Sequence, residues 1–303
     1  MTDIIVIGGG MSGMTACLYA LRGGKSVTML ESENIGGQIS SSPRVENFPS
    51  VKEISGSELS DKIFEQISSL GADISLDKAV KAEKANGVFT VTTEYGEKLQ
   101  SKSVIIANGV LHRNLGLARE DILTGKGVYY CAVCDGAFYK DKEVAVIGDA
   151  NTALQYVIYL SNLCKKVTLI ALFDKLFADK YLQTKVKGLK NAEIIYKTQV
   201  TEYLGKENLE GLKLINTETK IVSQLNVPAV FIAIGQIPHN EAFSNVADID
   251  KQGYFIADET LETKTEGLFV AGDTRTKAVR QLTTACSDGA VAATKACAYI
   301  DRL

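Results

Sequence analysis

The chain contains no tryptophan and only two histidines, His112 and His239, and it has no arginine anywhere between Arg119 and Arg275. Two histidines without a second cysteine pair beside them exclude a His-rich metal site and leave structural zinc short of a ligand set. No stretch approaches the ~18 unbroken apolar residues of a membrane span. The first apolar run, Ile4 to Ile7, is too short for the core of an export signal and meets glycines at once. Basic excess is also missing: 33 Lys+Arg stand against 36 Asp+Glu, a net charge of −3, which argues against phosphate neutralisation on a nucleic acid. The expectation is a cytoplasmic protein with no nucleic-acid partner and no membrane.

What is present is ordinary for a globular chain: 303 residues, 46% hydrophobic and 23% charged, room for roughly two domains. Of six cysteines only Cys131 and Cys134 stand close, as C-x-x-C, whereas Cys17, Cys164, Cys286 and Cys297 stand alone in stretches of helical spacing and are expected to be small buried hydrophobes. Without an export signal, six cysteines point to thiols or a catalytic pair rather than a disulfide framework.

The N-terminus predicts strand, glycine turn and helix: Asp3 to Ile7, Gly8 to Gly13, and Met14 to Leu21, then a second strand from Ser26 to Leu30. Gly8-x-Gly10-x-x-Gly13 is followed 18 residues later by Glu31, the order of a dinucleotide-binding βαβ unit. The first glycine permits the turn, the second lets backbone approach a pyrophosphate, the third lets helix and strand pack, and Glu31 accepts from a ribose.

The pattern restarts at Glu143 to Ile147, with the turn Gly148-Asp149-Ala150-Asn151-Thr152-Ala153, a helix over Leu154 to Leu163 and a strand over Val167 to Ile170. This copy is degraded. Ala150 puts a methyl group where a pyrophosphate must approach and Asp149 adds negative charge. Beyond its second strand, Ala171 to Phe177 offers no acid at the strand end for a ribose and no arginine for a 2′-phosphate. Fold retained and ligand lost is the expectation. Strands at Ser103 to Ala107 and Ala229 to Ala233, ending in Asn108-Gly109 and Ile234-Gly235, mark crossings between an outer and an inserted domain, with boundaries near 115 and 241. A late strand, Gly267 to Ala271, ends in Gly272-Asp273 and is followed by Arg280-Gln281.

Taken together, Gly8 to Gly13, Gly36-Gly37-Gln38, Val45-Glu46-Asn47-Phe48-Pro49, Cys131 to Gly136, Ala233-Ile234-Gly235, Gly272-Asp273 and Arg280-Gln281 resemble the low-molecular-weight thioredoxin reductases over essentially the whole chain. The resemblance implies an α/β fold of two Rossmann-like, three-layer domains: an FAD-binding domain split into 1–115 and 241–303, and an inserted redox-disulfide domain at 116–240 with a degenerate nucleotide-binding fold. It implies a homodimer, thioredoxin as partner, and FAD held by Gly8, Gly10, Met11, Ser12, Gly13, Glu31, Gly37, Gln38, Asn47, Val80, Gly109, Gly272, Asp273, Arg280 and Gln281. Where NADPH-dependent members carry an intact second fingerprint and a basic cluster, this chain has Ala150, Ala171, Leu172, Phe173 and Phe177. In that departure it is similar to the ferredoxin-dependent flavin thioredoxin reductases of anaerobic bacteria, which implies reduced ferredoxin as electron donor and no NADPH site.

The resemblance assigns Cys134 to the flavin side and Cys131 to the partner, and makes Asp135 the acid of thiol exchange. A carboxyl in that role needs a pKa raised by partial burial; a surface turn acid is the alternative for Asp135, and half a zinc site the alternative for the cysteines. Between residues 165 and 197 eight lysines (Lys165, Lys166, Lys175, Lys180, Lys185, Lys187, Lys190, Lys197) face three acids (Asp174, Asp179, Glu193). That asymmetry fits docking of an acidic iron–sulfur protein, or simply a solvated helix face. Other functions that fit are an FAD-dependent dithiol oxidase using oxygen, an NADPH-dependent thioredoxin reductase, and a non-catalytic flavoprotein in which the cysteine pair is incidental.

Overall fold

The computed structural model describes residues 1–42 and 44–303. The chain divides into two compact units, one formed by Met1–Leu111 with Ile237–Leu303 and the other by His112–Gln236. Each change of unit falls four residues before the sequence-placed boundary, where the chain runs extended in the short strands Leu111–His112 and Gln236–Ile237.

In the first unit the strand Thr2–Ile7 lies between Val27–Leu30 and Lys98–Ile106, parallel to both. Its side chains alternate between two cores. Ile4 and Val6 belong to the face covered by the helices Met11–Arg22 and Leu282–Ile300; Ile5 and Ile7 point to the face shared with Phe89, Phe243 and Phe255. The strand Lys98–Ile106 changes character along its length. Its first half pairs antiparallel with Val88–Thr93 and is partly exposed, whereas Val104–Ile106 pairs in parallel with Leu268–Val270 and is wholly buried, as a parallel sheet covered on both faces requires. The sequence located only that apolar second half.

The C-terminal helix Leu282–Ile300 approaches the first helix through small residues, Gly289, Ala292, Ala293 and Ala296. A Cβ at Gly289 would lie 2.1 Å from the Ser12 carbonyl oxygen, so the close approach depends on its absence.

The second unit repeats the plan. A parallel sheet runs in the order Ala192–Ile195, Lys166–Ile170, Glu143–Ile147, Val230–Ile232, Val128–Tyr129. Val144 and Val146 face the helix Asn151–Ser161, while Ala145 and Ile147 face a three-stranded antiparallel sheet made by Thr198–Leu204, Gly211–Asn216 and Val222–Leu225. Helix, sheet and sheet give three layers. No helix among the described residues is long and apolar enough to cross a membrane.

Candidate active site

The first glycine turn is built as its spacing predicts. Gly8 has φ +109°, and a Cβ there would meet the Ala107 carbonyl oxygen at 2.3 Å. The helix begins at Met11, three residues earlier than its composition suggested, with Gly10 as N-cap and neither a capping side chain nor an acid in its first turn. Its leading N–H groups therefore lack a side-chain acceptor, the usual condition of an anion site. A Cβ at Gly10 would find only the Gly36 carbonyl oxygen, at 3.8 Å, so the face over the turn is open.

Four buried side-chain oxygens lack a hydrogen-bond partner among the described residues, Ser12 Oγ, Asp77 Oδ1, Tyr203 Oη and Asp273 Oδ1, and two of them, on Ser12 and Asp273, belong to predicted contacts. Gly272, the chain neighbour of Asp273, packs against Ser12, since a Cβ there would lie 2.8 Å from Ser12 Cβ. Buried polar atoms without partners are uncommon in folded chains and suit a bound polar group. Burial pushes the Asp273 carboxyl up, against the pull of Lys277 and Arg280.

The buried Glu31 accepts from the Gly9 N–H through Oε2 at 2.5 Å and from the Glu33 N–H through Oε1 at 2.8 Å. Gly37 follows Gly36, whose N–H donates to the Gly9 carbonyl at 2.8 Å. Gln38 donates through Nε2 to the Val110 carbonyl, and Asn47 Nδ2 donates to Gln281 Oε1 at 3.2 Å. These contacts bring the middle segment, the C-terminal helix start and the glycine turn into one unit.

Gly109 has φ +65° and open space around it, whereas Val80 lies on the exposed side of its strand. Arg280 turns its guanidinium onto the carbonyls of Asp273, Arg275 and Lys277 and over the Tyr254 ring, 4.3 Å from its centre. The open helix start, the glycine cradle and the two orphaned oxygens fit the phosphates and linker of a dinucleotide. Sequence reading missed another of the orphans, Asp77 Oδ1, two residues past Ser75, whose carbonyl accepts from the Glu31 N–H. Asp77 stands in no motif that could have marked it.

In the second unit Cys131 and Cys134 form a disulfide. Cys131 is the N-cap of a single helical turn, Ala132–Asp135, that contains Cys134, and the Cys131 Sγ accepts from the Cys134 N–H at 3.2 Å. Such a position favours thiolate once the pair is reduced. Asp135 is buried, not a surface turn acid, and burial raises its pKa from 3.8 to about 7. Burial pushes up the phenols of Tyr129, Tyr139 and Tyr156, and the Asp135 carboxylate adds a smaller push in the same direction.

The segment before the pair is pinned by three contacts. The Tyr156 hydroxyl donates to the Tyr130 carbonyl at 2.9 Å, the Tyr130 hydroxyl donates to Glu120 at 2.8 Å, and His112 stacks on the Tyr130 ring at 5.1 Å. Burial alone lowers the His112 pKa to about 4.

The second glycine turn keeps its first glycine for a structural reason: a Cβ at Gly148 would lie 2.4 Å from the Ala233 carbonyl oxygen. Ala150 is the N-cap of Asn151–Ser161, a helix that starts and ends earlier than its composition suggested. The following loop folds back onto the turn, with the Phe177 N–H donating to the Asp149 carbonyl at 2.7 Å. Asn151 and Asp179 close it with two hydrogen bonds, at 2.8 and 3.1 Å. Phe173 and Phe177, both about half exposed, meet edge to face at 5.2 Å, and Lys175 lies over the Phe177 ring.

The lone cysteines differ in part from expectation. Cys17 and Cys164 are buried, but Cys286 and Cys297 are only half-buried, because the C-terminal helix leaves one edge uncovered.

A family pattern described as pyridine nucleotide-disulphide oxidoreductase matches residues 2–289. Among curated relatives, the 34.2 kDa protein in the rubredoxin operon of Clostridium pasteurianum is 38% identical over 298 residues, covering 98% of this chain and 97% of that one. The thioredoxin reductase of Listeria monocytogenes is 37% identical over 302 residues, covering 99% of this chain and 94% of that one. Among solved structures, the thioredoxin reductase of Streptococcus pyogenes superposes with a TM-score of 0.96 at 35% identity, over 100% of this chain and 99% of that one.

Proposed function

The chain belongs to the pyridine nucleotide-disulphide oxidoreductase family as a thioredoxin reductase-type flavoprotein disulfide oxidoreductase with FAD as its cofactor, and on that premise we propose that its electrons come from reduced ferredoxin and leave to thioredoxin. The observation that carries the donor assignment is the mouth of the second glycine turn. A 2′-phosphate is recognised by charge-assisted, bidentate hydrogen bonds from arginine. Here the corresponding loop presents the paired rings of Phe173 and Phe177, above a turn holding the Ala150 methyl and the Asp149 carboxylate. Neither ring donates a hydrogen bond.

A protein donor needs a docking face, and lysines beside this loop support one. Lys165, Lys166 and Lys197 are paired with Glu143, Glu193 and Glu218. The cations left without an ion pair among the described residues are Lys175, Lys180, Lys185, Lys187 and Lys190; Lys175 lies over the exposed Phe177 ring and Lys185 over the exposed Tyr181 ring, whereas Lys190 sits at the other end of the sheet with Lys165 and Lys166. Exposed aromatic rings with lysines over them suit an acidic protein surface.

When bound, FAD takes electrons singly and delivers them as a pair, which reconciles a one-electron donor with a disulfide. Ser12, Asp273 and the amides at the start of the first helix hold its linker; Glu31 holds the ribose. Reduction of the Cys131–Cys134 disulfide to two thiols takes two electrons and two protons. Cys131, as thiolate, attacks the disulfide of thioredoxin to form a mixed disulfide. Cys134 then attacks the Cys131 sulfur, which restores the intramolecular disulfide and releases reduced thioredoxin. Asp135, titrating near neutrality, gives the departing thiolate its proton and takes one from the attacking thiol. Flavin reduction with each donor offered separately tests the assignment.

A further inference from the structure

The loop that carries Asp273 is tied to the C-terminal helix by one carboxylate. Asp288, 6% exposed, accepts from the Gly272 N–H at 3.0 Å, from Arg275 Nε and Nη2 at 2.9 and 3.0 Å, and from Lys277 Nζ at 2.9 Å. The two cations differ in what else they reach. Arg275 also donates to the Thr276 carbonyl at 3.0 Å and lies 3.9 Å from Glu259. Lys277, its side chain 6% exposed, has one other carboxylate in reach among the described residues: Asp273 Oδ1, at 4.0 Å. That is the buried oxygen left without a hydrogen-bond partner. Arg280 is not a competitor, because its guanidinium is engaged by three loop carbonyls and the Tyr254 ring.

We propose that Asp288 is a positioning residue of the FAD site, which holds Lys277 away from Asp273 and so leaves Asp273 Oδ1 open to the cofactor. The inference rests on the reading of Asp273 as an FAD contact. A nearly buried cation that loses its counterion takes the next one within reach. With Asp288 neutralised, Arg275 keeps its other partners, whereas Lys277 has Asp273 alone. The short move from 4.0 Å into contact occupies the oxygen the cofactor needs.

The test is release of FAD on dilution of the flavin-loaded protein, read as recovery of free flavin fluorescence, for the wild type, Asp273→Asn, Asp288→Asn and the double variant Asp288→Asn with Lys277→Gln. Losing a hydrogen bond to a charged group gives Asp273→Asn about tenfold weaker FAD binding. Asp288→Asn weakens it by about as much, and the double variant returns to within about threefold of the wild type. Unchanged binding in Asp273→Asn overturns the reading of that residue and the proposal with it. Unchanged binding in Asp288→Asn, or a double variant no better than the single one, overturns the proposal alone, since a merely structural role for Asp288 is not rescued at Lys277. Should Asp288→Asn not fold, Asp288→Asn with Lys277→Gln is compared with Asp288→Asn with Lys277→Arg. Glutamine retaining FAD where arginine does not supports the proposal; equal retention overturns it.

Discussion

Phe173 and Phe177 meet edge to face, ring centres 5.2 Å apart, on the loop whose Phe177 N–H is bonded to the Asp149 carbonyl of the degraded glycine turn. An aromatic pair of this geometry adds roughly 1 kcal/mol beyond its buried area, so the loop is held closed onto the turn by contacts that recognise no phosphate. The proposed donor assignment therefore rests on two features of this turn: no arginine stands in the segment that carries it, and the Phe173–Phe177 loop folds back onto it.

Restoring the donors should restore some binding. The variant Ala150→Gly, Phe173→Arg, Phe177→Arg is expected to bind NADPH at least ~10-fold more tightly than the wild type, because each charge-assisted contact is worth about 1.5–3 kcal/mol. The gain should favour NADPH over NADH. Equilibrium binding of both nucleotides checks it, and equal gains for the two would show that the arginines do not read the 2′-phosphate.

Cys131→Ser should leave flavin reduction intact and abolish turnover of thioredoxin, since the nucleophile of the mixed disulfide is gone while Cys134 remains. Stopped-flow bleaching and steady-state turnover separate the two steps. Turnover at the wild-type rate in this variant would contradict the disulfide relay.

Asp135 carries a pH signature. Its folded pKa of about 7 lies above the unfolded 3.8, so between these values the folded chain binds the extra proton and stability falls as pH rises. Asp135→Asn removes that cost: the variant should be more stable than the wild type by about 2–4 kcal/mol at pH 8, with the difference disappearing below about pH 4. Thiol exchange in the same variant should lose its titration near pH 7 and slow by roughly 10²–10⁴-fold. Denaturant melts and turnover measured across pH check both, and a pH-independent stability difference would contradict the burial argument.

The lysine face makes a prediction about ionic strength. Electron transfer from reduced ferredoxin should weaken steeply between about 0.05 and 0.5 M salt as the Debye length shrinks toward the size of the contact. Replacing Lys180 and Lys187 by Glu should slow it further, whereas the same changes at Lys165 and Lys166, already paired with Glu143 and Glu193, should matter less. A flat salt response would contradict docking at this face.

What the sequence made legible was local. The glycine turns, the strand ends and the C-x-x-C are each short local patterns, so spacing alone placed the central strands of the two larger sheets and the first glycine turn with Glu31. What it concealed depends on partners distant in the chain. The lysine excess between 165 and 197 is reduced by Glu143 and Glu218, which lie outside the segment. The burial of Asp135 comes from tertiary packing in the core that holds Tyr129, Tyr139 and Tyr156. The unpartnered oxygen of Asp273 lies near Lys277, which is held by Asp288, a residue of the C-terminal helix whose position carries no motif. Strand and helix starts shifted for the opposite reason: polar residues such as Lys98 and Asn151 join elements that apolar composition alone begins later.

The measurement that bears most directly on the account is anaerobic reduction of the FAD-loaded protein, followed at the flavin absorbance band, with NADPH, NADH and enzymatically reduced ferredoxin each offered alone. Bleaching by ferredoxin only, followed by the appearance of thioredoxin thiols, is the predicted result; rapid bleaching by NADPH would contradict it.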